Sequence, residues 1–348
     1  MNLPPPGGRL RAYLEFILAL LYFLIAKVVA RRAVLGFSLD SAAPLAEQAV
    51  LTFLLIFGFA VMGFVLDRQT HPVAAQGWPL RSGWTGEAGL GLAIGWGLAV
   101  ACILPLTLIG GIAIRFAILP SAWGWLAIDA AFFACAALAE EVAFRGYAFQ
   151  RFAAALGGLG AALAFAMMYG ILQSMQAGTS SASIGVSVAF SLLLSIAYLR
   201  TRALWLSWGL NFAWKASRGL LFGLALSGDN SHSPIVQGDP MGPFWLTGGG
   251  FGLDGTWLTC AILLAAIPVV FRVTRELDFR WNAPVIVSGG IPVDLDAATR
   301  RQHEVAMGPP ASAAPALVQI LPAEPPLVIQ PAEAAPAQAT IPDQTDSY

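Results

Sequence analysis

The chain has 348 residues, of which 57% are hydrophobic and only 11% charged, with a mean hydropathy of +0.70 and a formal net charge of −1. That balance excludes an ordinary soluble domain and points to an integral membrane protein. It also lacks a basic cluster able to neutralise several phosphates, so nucleic acid is excluded as a partner and the lipid bilayer, membrane peptides and membrane proteins remain.

About eight apolar segments are long enough to cross the roughly 30 Å hydrocarbon core as helices. They centre near residues 13–30, 46–66, 88–114, 121–140, 155–173, 183–199, 203–226 and 254–272. The first follows Arg9 and Arg11 and ends at Arg31-Arg32 instead of at small residues, so it reads as a retained span and not a cleaved leader. The third is overlong, and Gly89, Gly91, Gly95, Gly97, Gly110 and Gly111 offer small faces for close helix packing. Cys102, Cys135 and Cys260 are far apart and odd in number, which suggests neither a disulfide framework nor a cysteine metal cluster.

With the N-terminus inside, Arg9, Arg11, Arg68, Arg81, Arg145, Arg151, Arg200, Arg202, Arg272, Arg275 and Arg280 fall on the cytoplasmic side, against Lys27, Arg31, Arg32 and Arg115 outside. This distribution fits the positive-inside rule, with the Arg31-Arg32 pair as its exception. The Arg-rich, Ala- and Gly-rich composition suggests a bacterial inner membrane. The expected organisation is an all-α, polytopic membrane bundle of about eight helices. Residues 1–84 supply two N-terminal helices, 85–275 the core, and 276–348 a Pro/Ala-rich disordered cytoplasmic tail with both termini cytoplasmic.

Within this apolar background the ionisable residues stand out, since each charge at membrane depth costs roughly 2.5 to 3.5 kcal/mol on insertion scales and usually marks function. Glu140 and Glu141 end the fourth segment, and Arg145 lies four residues after Glu141, where an i, i+4 pair can form. Asp129 precedes Glu140 by about three turns and so could share its face. Phe165, Tyr169 and Gln173 recur every four residues on the next span. Asn211 and Lys215 are again i and i+4, and an ammonium at that depth needs a carboxylate, for which the Glu140-Glu141 turn is the available source. Two chemical readings are open for the carboxylates: an ion pair that fixes helix packing, or a general base for a water. His71, His232 and His303 lie in loops or the tail, and the run Gly248-Gly249-Gly250-Phe251-Gly252 lacks the Gly-Lys-Ser/Thr ending of a phosphate loop.

Taken in order, Glu140-Glu141-x-x-x-Arg145, then Phe165 with three residues to Tyr169, then YLRTRALWLSWGLNFAWK, resembles the CPBP family of CAAX-protease and bacteriocin-processing membrane peptidases. The resemblance covers about residues 85–272 and is strongest from Ala139 to Lys215; the segment WLTGGGFGLDG, with Asp254, looks like a glycine-rich loop before the last helix. It implies an eight-helix bundle with an intramembrane catalytic cavity reached from the cytoplasm, zinc as the family-type metal, and Glu140 activating water with Glu141 and Arg145 in support. By position, Tyr169 and Asn211 stand where the family has histidines, and Lys215 where it has an asparagine. Neutral imidazole is the usual nitrogen ligand for zinc, so no tightly bound metal or other cofactor is expected. Two functions follow. One is a CAAX-type membrane peptidase with impaired activity, with Asn211 or Lys215 steadying the oxyanion. The other is a non-catalytic scaffold that binds a membrane peptide, lipid or partner protein in the former cavity.

Overall fold

In the computed structural model of the chain, the described residues are 6–36, 42–116, 122–230 and 236–277, all within one compact unit, Met1–Ala283. The expected tail beyond residue 277, and with it Arg280 and His303, lies outside them, as does His232.

The helices are α1 (Pro6–Leu35), α2 (Ala43–Asp67), the one-turn α3 (Pro72–Ala75), α4 (Trp84–Leu108), α5 (Ala122–Arg145), α6 (Tyr147–Leu156), α7 (Gly158–Ser174), α8 (Ser181–Thr201), α9 (Leu204–Ala216), α10 (Phe244–Thr247) and α11 (Trp257–Val273). Four of them, α1, α2, α4 and α8, are long and apolar enough to cross a membrane, and α7 and α11 are shorter apolar helices of 17 residues each. At about 1.5 Å per residue the 25 residues of α2 span about 37 Å, more than a hydrocarbon core. The side chains are arranged for lipid. On α1 four of the six buried positions among the described residues are alanines, Ala12, Ala19, Ala26 and Ala30, beside Glu15 and Val34, while Leu14, Leu21, Ile25 and Val28 face outward. Small residues let helix backbones approach where no hydrophobic force drives them together, and the large apolar ones satisfy the bilayer.

Two features depart from an all-helical reading. The expected third span stops at Leu108, and Ile112–Phe116 forms a strand, β1, paired antiparallel with β2 (Val236–Pro240) from Ile112 opposite Pro240 to Phe116 opposite Val236. The β-branched residues of Ile112-Ala113-Ile114 beyond the Gly110-Gly111 break favour a strand once a partner strand is supplied. The expected seventh span, 203–226, is also too long. Its α-helix closes at Ala216, continues as a π-helical turn over Ser217–Leu221, and then gives way to irregular backbone.

Close packing follows the glycines only in part. Gly91 and Gly95 of α4 lie against the backbone of α9 at Leu206 and Leu210, and Gly209 of α9 lies against Ala88 of α4, so any side chain at these positions would collide with the facing helix. This is the small-xxx-small mode of membrane helix association. Gly89 and Gly97 face open space instead.

The buried apolar residues form two clusters. One joins α4, α8, α9 and α11 around Ile103, Leu193, Leu210 and Leu263. The other joins α1, α2, α5, α6 and α7 around Leu55, Phe59, Val142, Phe149 and Phe165. The α7–α8 and α5–α9 contacts form the seam between them.

Candidate functional site

α5 ends where Gly146 follows Arg145; a Cβ there would run into the Val142 carbonyl, so glycine permits the sharp break into α6. Its last two turns present Glu140, Glu141 and Arg145 to α8 and α9. Glu141 and Arg145 form the expected ion pair, Nη1 to Oε1 at 3.3 Å, and both are essentially inaccessible, at 0% and 1% exposure. Arg145 Nη2 also donates to the Ser191 carbonyl and to Ser191 Oγ, each at 3.0 Å, which ties α5 to α8. From α9, Asn211 Nδ2 donates to Glu141 Oε1 at 3.0 Å and to Glu140 Oε2 at 3.1 Å. One turn on, Lys215 Nζ lies 2.5 Å from Glu140 Oε1, the pairing its depth in the chain required.

Five of the six candidate residues therefore meet in one hydrogen-bonded cluster: Glu140, Glu141, Arg145, Asn211 and Lys215. Tyr169 borders it. Its ring packs edge-on against Phe144 at 5.3 Å, and no hydrogen bond among the described residues joins it to the carboxylates. Asp129 does not belong to the cluster: eleven residues at about 1.5 Å each place it about 16 Å from Glu140 along α5.

Glu140 and Lys215 keep partial access, at 29% and 19% side-chain exposure. Glu140 forms part of the floor of a cavity of about 390 Å³, walled by Phe23, Leu24 and Lys27 of α1, Leu51 of α2, Phe144 of α5 and Leu172 of α7. A second, small chamber of about 60 Å³ is bordered by Lys215, Arg218, Ser227 and Asp254. Tyr169 and Gln173 line both, so together with the Glu140–Lys215 pair they stand between the two spaces.

The large cavity is built from the second half of α1, the first half of α2 and the C-terminal end of α7. It therefore lies toward the end of the α1–α2 hairpin opposite Arg11, Asp67 and Arg151.

Arg218 is the site residue that sequence reasoning missed. In the π-turn after Lys215 it is 3% exposed, its guanidinium lies 4.1 Å above the Trp214 ring, and its Nη1 is 2.5 Å from Asp254 Oδ1. Asp254 Oδ2 in turn accepts from the Ser227 backbone N–H and Oγ, which clamps the loop before α11 onto the end of α9. The available signal was a second basic residue three positions after Lys215, with Asp254 the acid in the glycine-rich loop.

The zinc that the resemblance implies does not fit these residues. The cluster offers two carboxylates and an amide oxygen, Asn211 Oδ1, with no imidazole or thiolate, while Lys215 and Arg145 already hold carboxylate oxygens. Among the described residues no group of three or more His, Cys, Asp or Glu side chains is placed to hold a metal. The cysteines are free, with Cys102 and Cys260 buried, and His71 is exposed on a loop.

Residues 120–217 match the family model described as Rce1-like, type II CAAX prenyl endopeptidase Rce1-like. No curated protein and no solved structure matches the chain. The matched segment runs from the start of α5 to the first residue of the π-turn, and so contains all six candidate residues but neither Arg218 nor Asp254. The protein is an integral membrane protein whose residues 120–217 are similar to the Rce1-like CAAX prenyl endopeptidases.

Proposed function

We propose that this chain is a CPBP-family membrane protein whose peptidase activity is impaired or lost, because a lysine neutralises the carboxylate that would otherwise activate water. The observation that carries this reading is the Glu140–Lys215 contact, with Asn211 on the other carboxylate oxygen. A general base needs a free lone pair within hydrogen-bond reach of the water. Here each oxygen of Glu140 already accepts one hydrogen bond, one from an ammonium and one from an amide N–H, so a water must compete for the remaining lone pairs beside a fixed positive charge. The neighbouring carboxylate, Glu141, is out of reach of substrate and committed to Arg145.

On this reading the former active-site cavity serves to bind a membrane peptide, lipid or partner protein. Its walls are mostly apolar, with the amides of Gln48, Gln173 and Gln176 at its polar edge. Its size is in the usual range for ligand sites. The second reading, residual CAAX-type cleavage with Glu140 as base and Asn211 or Lys215 steadying the oxyanion, draws on the partial exposure of Glu140 to that cavity.

We place the protein in a bacterial inner membrane with about eight spans and the Arg11, Arg68 and Arg151 end in the cytoplasm, on the basic-residue distribution. The large cavity then faces the opposite half of the bilayer, which departs from the cytoplasmic access that the resemblance implies. Labelling of Gln176→Cys by a membrane-impermeant thiol reagent in intact cells tests this orientation; protection in cells with reactivity in inverted vesicles reverses it. The test of function is a proteolysis assay with the purified protein on prenylated and unprenylated membrane peptides beside a Glu140→Ala control. Equal background for both proteins supports the scaffold. Cleavage that is abolished by Glu140→Ala restores the peptidase.

A further inference from the structure

A second charged cavity, unrelated to the Glu140 cluster, lies at the other end of the bundle. It measures about 680 Å³ and is bordered by Arg11 and Glu15 of α1, Asp67 and Arg68 at the end of α2, and Arg151 of α6. Most of its charges are paired. Arg151 Nη1 reaches Asp67 Oδ1 at 2.8 Å and Glu15 Oε2 at 3.5 Å, and Arg11 Nε reaches Glu15 Oε1 at 2.7 Å. Three guanidiniums nevertheless face two carboxylates, which leaves one positive charge in excess. Arg68 is exposed and has no ion partner among the described residues, and Arg151 Nε is buried without a hydrogen-bond acceptor.

The surroundings narrow the kind of anion. α2 ends at Arg68 in the left-handed conformation, φ 52°, so the chain turns away at the point where this side chain borders the cavity. Immediately beside it Leu10, Leu14 and Val65 are each about 60% exposed on the outer faces of α1 and α2, which carry the lipid-facing rows of both helices. A ligand matching this site needs one negative charge presented to guanidiniums and hydrocarbon continuing along those faces. Guanidinium forks bind phosphate oxygens in bidentate fashion, and basic pockets between membrane helices suit lipid headgroups.

We propose that the α1–α2–α6 cavity is a binding site for an anionic phospholipid with a single phosphodiester. Its phosphate contacts Arg68 and Arg151 and its acyl chains lie along the outer faces of α1 and α2. The charge count closes: one phosphodiester neutralises the one excess guanidinium. The carboxylates of Glu15 and Asp67 set the limit, since a headgroup with more negative charge would meet uncompensated repulsion. The site is independent of the reading of the Glu140 cluster and holds whether or not the protein cleaves peptides.

The test is native mass spectrometry of the delipidated full chain in detergent, titrated with dioleoylphosphatidylglycerol and with dioleoylphosphatidylcholine, which share their chains. The expected result is selective retention of the anionic lipid, a loss of about tenfold in its affinity in Arg68→Gln, as for removal of a charged hydrogen-bond partner, and no loss in Arg272→Gln. Arg272 is exposed near the end of α11 and does not line the cavity. Because Arg68 is also exposed, Arg68→Gln is expected to melt as the parent does, and Arg68→Lys to recover part of the binding. Equal retention of both lipids would overturn the proposal, as would an equal loss in Arg272→Gln, which would mean diffuse charge attraction. Displacement of the lipid by glycerol phosphate at a comparable concentration would also overturn it, by showing a site for free phosphate.

Discussion

Glu140 and Glu141 are consecutive residues on one helix and have been given opposite tasks. Glu141 points into the seam between the two apolar clusters, inaccessible and bonded to Arg145 and Asn211, while Arg145 in turn ties it to the helix that carries Ser191. Glu140, turned by one helical step of about 100°, faces a cavity and meets a lysine that is itself partly exposed. The first is a packing device whose charges have no access to water. The second keeps the access that chemistry or ligand binding requires, yet has its charge cancelled from within the chain. On the proposed reading, the accessible half of the site is silenced while its buried half continues to hold the bundle together.

The largest expected effect comes from breaking the buried half. Arg145→Met removes one partner of a fully buried pair and leaves Glu141 uncompensated, so it should destabilise the protein by about 3 to 5 kcal/mol. Thermal unfolding followed by size-exclusion fluorescence checks this. A loss as small as that of the Lys215 variants would erase the distinction between the halves.

The accessible half should be softer. Lys215→Ala is expected to cost about 1 to 2 kcal/mol after allowance for solvent screening, and Lys215→Met less, because the thioether refills the volume without the charge. The same melting assay ranks the two. A lysine that merely fills space would make Lys215→Met indistinguishable from the parent.

The comparison is sharpened by restoring the family-type residues on the accessible side while leaving Glu141 and Arg145 alone. Lys215→Asn with Asn211→His and Tyr169→His should bind about one zinc per chain, since two imidazoles and a freed carboxylate complete a ligand set. Elemental analysis of the variant beside the parent, which is expected to carry well under one, measures it. Zinc at full occupancy in the parent, lost in Glu140→Ala, would contradict the lysine's role.

The smallest effect should come from the β-ribbon. Arg115 and Asp239 pair at 3.3 Å with side chains 71% and 47% exposed, so Arg115→Ala should shift stability by less than about 0.5 kcal/mol. It serves as the surface reference against which both halves of the site are read.

Much of the site was legible in the sequence because helical spacing is local. Glu141 with Arg145, and Asn211 with Lys215, fall on common faces whatever surrounds them, and an ammonium in an apolar run must find a carboxylate. The same arithmetic misled for Asp129, since a shared face says nothing of separation along the axis. Arg218 escaped notice because its partner, Asp254, is 36 residues away and reaches it only when the loop before α11 folds back.

By itself the sequence determined that the protein resides in a membrane, where its apolar helices run, and that a few ionisable residues among them must pair. These follow from transfer free energy and helix periodicity, which need no knowledge of the fold. Only the tertiary structure decided that Gly91 and Gly95, and not Gly89 or Gly97, would touch α9. It also decided that residues 112–116 would leave the third span for a strand paired to residues 236–240. And it assigned Glu140 to the cavity and Glu141 to the seam, because which face of α5 meets lipid, cavity or neighbour depends on where α1, α7 and α9 pack, and no local pattern encodes that placement.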